Sequence, residues 1–145
     1  MGGMTWHYFA PYQEDTAKAL EDLREEVFRS GNYRKPFGHE SSDFQPQSID
    51  ELWQTFAQVE DVGGTHSILD IFQVSETPEM ASVSPLPPQD IIRIFGTATP
   101  DKAMLVKAVE ADSFDHVPRW HCISLAAFDA NGEPVELLFY GVSVD

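Results

Sequence analysis

Asp115, His116, His121 and Cys122 are the residues of this chain whose types come closest to a ligand set. Structural zinc sites want thiolates or imidazoles in tight pairs on turns, or His at i and i+4 on a helix. Here Pro118 breaks the spacing, and His121 and Cys122 are consecutive in a strand-forming stretch, so they point to opposite faces. We expect no metal and no cofactor: His121 reads as a sheet-face histidine and Cys122 as a small buried hydrophobe with an inert thiol. Nucleophile and phosphate motifs are missing as well. There is no Gly-x-Ser-x-Gly turn and no Ser-x-x-Lys, and Gly63-Gly64 lacks the Lys and Ser or Thr of a phosphate loop. No residue is therefore expected to be catalytic.

Among the carboxylates, Asp70 stands apart because it interrupts the most apolar stretch, Thr65 to Val74. A buried Asp70 would need a partner, with Arg93 or Arg119 within reach, and would make a site carboxylate with a perturbed pKa. An interior strand also has solvated ends, and we expect Asp70 to face outward there. Asp70, Arg119 and His121 together define one candidate pocket, between sheet and helices.

The other candidate is an acidic helix face. Glu21, Asp22, Glu25 and Glu26 crowd one side of a helical stretch, and Glu21/Glu25 and Asp22/Glu26 are like-charge i, i+4 pairs. Glu14/Lys18 and Glu25/Arg29 offset them in the favourable orientation. A solvated face explains this much. A docking surface for a basic protein explains it too, because complementary charge steers encounter.

The elements that must hold these residues follow from period and punctuation. Thr5 to Ala10 is an aromatic strand stopped by Pro11. From Glu14 to Ser30 the period turns helical, with Leu20, Leu23, Val27 and Phe28 on one stripe and Gly31 placed to end it. Residues 31–47 form a long aperiodic loop whose aromatics could rim an interface. Ser48 and Glu51 match a capping box before the stripe Ile49, Leu52, Phe56 and Val59, with Gly63-Gly64 as its stop. Thr65 to Val74 reads as an interior strand and Ala81 to Leu86 as a short edge strand. Pro87-Pro88 opens a helix through Ile91 to Phe95 that Gly96 stops. Thr99 reads as N-cap of another, with Pro100 at its first position. The last two apolar runs, Trp120 to Phe128 and Val135 to Val144, flank Asn131-Gly132, a strong hairpin signal. The fold class is α+β: one domain over residues 1–145, a mainly antiparallel sheet of four or five strands, three or four helices on one face, and a C-terminal β-hairpin.

Composition narrows the function classes. Twenty-four Asp and Glu against nine Lys and Arg leave −15, which argues against binding nucleic acid or an anionic membrane surface. No apolar run approaches the ~20 residues of a membrane helix. The N-terminus lacks a secretory pattern, and Met1-Gly2 lacks the Ser or Thr at position 6 that myristoylation wants. A single Cys excludes an internal disulfide. The expectation is a cytoplasmic protein with a loose Met1-Gly2-Gly3 end. Its acidity serves solubility, a basic partner, or a high-salt habitat.

Trp6-His7-Tyr8-Phe9-Ala10-Pro11-Tyr12-Gln13, Gly64-Thr65-His66-Ser67-Ile68-Leu69-Asp70-Ile71 and Phe139-Tyr140-Gly141-Val142-Ser143-Val144-Asp145 resemble a group of small acidic bacterial proteins of unassigned function. The resemblance implies a complete bacterial domain and supplies no activity, cofactor or site residue. By analogy, small acidic bacterial domains also include immunity proteins that neutralise a toxin domain. The first functional expectation is thus a non-enzymatic module engaging a basic protein. The second, from a different class, is a small-molecule-binding protein or enzyme using the Asp70, Arg119 and His121 pocket.

Overall fold

Period and capping chemistry set the helices. In the computed structural model, which describes residues 4–41 and 43–145, α1 spans Thr16–Ser30. Its stripe Ala19, Leu20, Leu23 and Val27 is buried, Asp15 caps its first turn by accepting from the Lys18 N–H, and Gly31 ends it in the left-handed region. Helix α2, Ile49–Gln58, is capped by Ser48, which accepts from the Glu51 N–H. The Glu51 carboxylate accepts instead from the Gln47 N–H at 2.7 Å, one residue earlier than a capping box requires. The chain end Met1-Gly2-Gly3 lies outside the described residues.

Among the described residues five strands form one sheet: β1 (Thr5–Pro11), β2 (Gln73–Val74), β3 (Ser82–Pro85), β4 (Cys122–Phe128) and β5 (Pro134–Val142), in the order β1-β5-β4-β3-β2. β5 pairs antiparallel with β1 and with β4, while β3 pairs parallel with both β4 and β2. The sheet is therefore mixed, and the mainly antiparallel expectation is corrected. The cause lies in the connections. Between β3 and β4 run α3 (Pro88–Phe95) and α4 (Lys102–Glu110), and a helical crossover returns the chain to the same end of the sheet. Between β4 and β5, residues 129–133 turn tightly, with Asp129 Oδ1 accepting from the Asn131 and Glu133 N–H groups.

The strands β4 and β5 are apolar on both faces, and each face carries its own core. Leu137 and Phe139 pack with Trp6, α1 and α2, while Leu138, Tyr140 and Val142 pack with Leu105, Ala108 and Phe114 on the other side. Helices thus cover both faces of the sheet, not one, and neither core can be cut from the other without splitting β5. That makes a single α+β domain, with four α-helices among the described residues. Among the described residues, no helix is long and apolar enough to cross a membrane.

Three element boundaries differ from the sequence reading. β3 lies between β4 and β2, so it is not an edge. Asp101 caps α4 by accepting from the Met104 N–H at 2.9 Å; Thr99 does not, and buried Pro100 gives its carbonyl to the Phe128 N–H. Most important, residues 65–74 are not a strand. Ile68–Asp70 is a turn of 3₁₀-helix, and only Gln73–Val74 joins the sheet. Ser67 accepts from the Leu69 N–H and Asp70 from the Thr65 N–H, so side chains take the backbone donors a ladder would have used.

Candidate functional site

The side chains that shape residues 61–72 come from the loop after α1 and from the segment after α2 itself. Asp61 and Arg34 form a bidentate pair, with N···O distances of 2.8 and 3.1 Å. Arg34 also donates to the Gly64 carbonyl, and Asp61 accepts from the Gly63 and Phe37 N–H groups. Burial pushes the Asp61 carboxyl up, but the guanidinium and the two amides outweigh it, leaving the net shift downward. Gly64 needs no side chain here: at φ +73° a Cβ would lie 2.9 Å from Asp70 Oδ1.

Asp70 is fully buried, which overturns the outward-facing expectation, and the hydrogen bonds its carboxylate accepts come from Thr65. Arg93 pairs with Asp90 on α3, and Arg119 is exposed in the connection ahead of β4. Asp70 Oδ1 accepts from the Thr65 N–H and hydroxyl, each at 2.7 Å, and Ser67 closes the network against Thr65. Among the described residues Oδ2 has no partner. Burial raises the Asp70 carboxyl above its usual 3.8, against the Thr65 hydrogen bonds that lower it.

A raised acid pKa in the folded state means folding takes up a proton. The associated stability is complete below the unfolded value and is lost as pH rises through the folded one. Asp70→Asn stays neutral throughout and keeps an acceptor for Thr65. Its stability relative to wild type should climb between about pH 4 and the pH at which Asp70 ionises in the folded chain. Urea unfolding of both proteins across pH 4–8 checks this, and a constant difference would remove the buried-carboxyl account.

The acidic face lies on α1 as the spacing requires. Glu21, Asp22, Glu25 and Glu26 are all exposed. Asp22 is held by Lys18 and by Gln13, and Glu25 by Arg29 at 3.6 Å. Glu21 and Glu26 carry no ion pair among the described residues. The Lys18 contact replaces the Glu14/Lys18 pair that the spacing suggested.

Beside this face the structure places something the sequence reading missed. Phe72 and Val74, taken for interior residues, are 47% and 38% exposed. With Leu20, Glu21, Arg24 and Glu25 they line a groove of about 290 Å³ along the sheet edge at β2. Arg24 lies over the Phe72 ring, 5.1 Å from its centre, and Trp53 packs on it at 5.3 Å. Arg24 also donates to the Leu69 carbonyl, as does the Trp53 indole N–H. The exposed ring is therefore fixed from behind, not loosely hung. The available signal was Gln73, whose polarity marks where the apolar run leaves the core.

No family model, curated protein or solved structure matches the chain. The expected Asp70, Arg119 and His121 pocket does not assemble as one site. Asp70 sits within the layer under α1 and α2, whereas His121 lines a separate cleft with His116 and Asp90. Among the described residues no three His, Cys, Asp or Glu side chains are grouped to hold a metal ion, and Cys122 is fully buried with its thiol pushed well up by desolvation.

Proposed function

We propose that this chain is a non-enzymatic binding module that docks a basic protein segment on the face made by α1 and the β2 edge. One observation carries the reading: two exposed apolar side chains, Phe72 and Val74, sit in a groove walled by Glu21 and Glu25. Apolar floor and charged rim are the parts of a specific interface, the first for affinity and the second for steering and register. Arg24 does not cancel the rim. It lies between the groove floor and the Leu69 carbonyl, with Glu25 and Asp50 acting on it, so the groove's outer charge is negative. The buried network around Asp61 and Asp70 fits this reading by holding the turn that carries Leu69, with Arg34 paired to Asp61 and Thr65 to Asp70 Oδ1. Immunity-type neutralisation of a basic toxin domain is one form such a module takes, and a basic regulatory partner is another.

A decapeptide alternating Lys and Val is the probe, with the fluorescence of Trp53, packed on Phe72, as reporter. Wild type should bind it with an association rate that falls steeply as salt rises from about 0.05 to 0.5 M. The double substitution Glu21→Lys/Glu25→Lys should weaken binding at least about tenfold, and Phe72→Ala should do so without changing the salt dependence. The same charge change placed remotely, Glu110→Lys/Glu133→Lys, should cost much less. Equal losses from the two double variants would reduce the interaction to net charge and end the proposal.

A further inference from the structure

The cleft containing His121 is a second, separate site. Its walls come from three stretches: residues 76–78 after β2, the end of β3 running into α3, and residues 116–123 leading into β4. β3 is only four residues long and pairs with the start of β4, Val83 with Cys122, Ser84 with Ile123 and Pro85 with Ser124, so its last residues lie beside the first of β4. That leaves a hollow of about 340 Å³, within the range that holds a small organic molecule. Pro85, Leu86, Val117, Pro118 and Ile123 give it apolar walls, and Leu86, Val117 and Ile123 are fixed in the core shared with α4.

The polar groups in the cleft select charge. Glu76 and Asp90 line it, and no Lys or Arg does. Asp90 gives Oδ1 to Arg93 at 3.2 Å, an exposed contact that does not involve Oδ2. His121 Nδ1 lies 2.9 Å from the Arg119 carbonyl, which only accepts, so Nδ1 is the donor of that contact and holds the ring in the cleft wall. Two carboxylates beside apolar walls are complementary to a donor with positive charge and a hydrocarbon body.

The geometry points to a binding site for an organic ammonium ion, an arylalkylamine in class, with its ring between Leu86, Val117 and Ile123 and its ammonium toward Glu76 and Asp90. The site does not depend on the acidic groove and belongs to the opposite core.

Tryptamine is the probe, compared with 3-indolepropionate, which has the same ring and opposite charge, and with 3-methylindole, which has none. In methyl-resolved NMR titrations, tryptamine should shift Leu86, Val117 and Ile123 with Kd at or below about 1 mM, and 3-indolepropionate should bind at least about tenfold more weakly. Glu76→Gln, on an exposed loop where folding is not at stake, should weaken tryptamine several-fold and leave 3-methylindole unchanged. Asp90→Asn should do the same, with unchanged thermal unfolding as the check that α3 is intact. Equal affinities for the two charged indoles would overturn the assignment. So would shifts that map to Phe72 and Val74, or no shifts at all.

Discussion

Replacing Asp61 with Ala should lower the free energy of unfolding by about 3–5 kcal/mol, the range for removing one partner of a buried ion pair. The Asp61 side chain is 1% exposed and the Arg34 side chain 24%, so the pair is shielded enough to escape the small values of surface bridges. Its carboxylate also satisfies two backbone donors, from Phe37 and Gly63. Alanine would leave both amides and a guanidinium short of an acceptor, and each orphaned buried donor costs about 1–3 kcal/mol. Asp61→Asn, which keeps an acceptor but not the charge, should fall between alanine and wild type. Urea denaturation at neutral pH measures both, and an alanine cost below about 1 kcal/mol would show that the cluster is solvated in solution.

Asp61 and Asp70 flank the same turn with opposite titration. Because Asp61 is lowered, its contribution is present above the usual carboxylate value and disappears as pH falls through the folded one. Asp70 is raised and behaves the other way. Acid should therefore open the Arg34 side of this segment while relieving the Asp70 side. The consequence for function is that the turn carrying Leu69, whose carbonyl receives Arg24 and Trp53, is anchored at both ends. A fixed Leu69 fixes Phe72 three residues on.

What was legible in the sequence was whatever local chemistry decides. α1 has a clean stripe and a terminal Gly, both of which act within a turn or two, and the structure agrees with them, while the capping role of Asp15 was not read from the sequence. Alternation in β5 divides Leu137 and Phe139 from Leu138 and Tyr140, which requires only the pleat. Failures begin where distant residues arbitrate. The run Thr65 to Val74 is apolar enough for a strand, yet Asp70 captures the Thr65 amide and Ser67 that of Leu69, and Phe72 is exposed at the sheet edge. Parallel pairing of β3 was invisible because no turn signal marks a crossover. The acidic face was readable since charged helix faces point outward by default, whereas Arg34 and Asp61, 27 residues apart, offer no spacing that joins them. The His121 cleft draws on three separated stretches, so composition could suggest one of its residues and not the hollow.

A Cβ at Gly141 should be among the least tolerated atoms in the molecule. β1 and β5 place Trp6 directly across from Gly141, and the indole lies flat over the missing side chain. An added Cβ would come within 2.2, 2.4 and 2.7 Å of three ring carbons, all well inside contact distance. Trp6 cannot simply swing away, since it is 8% exposed and packs against Tyr8 with ring centres 5.7 Å apart. Overpacking costs typically about 1–3 kcal/mol, and expelling the indole instead approaches the ~3–5 kcal/mol of Trp→Ala truncation, so Gly141→Ala should cost about 3 kcal/mol. A double-mutant cycle separates this clash from any general effect of a side chain in β5. Trp6→Ala should cost about 3–5 kcal/mol alone, but Trp6→Ala/Gly141→Ala should cost clearly less than the sum, because the alanine then fills part of the space the indole left. Urea unfolding followed by circular dichroism gives the three values without relying on Trp6 emission. Additive losses would mean that the indole does not occupy the space above Gly141 and that β1 docks on β5 in another register.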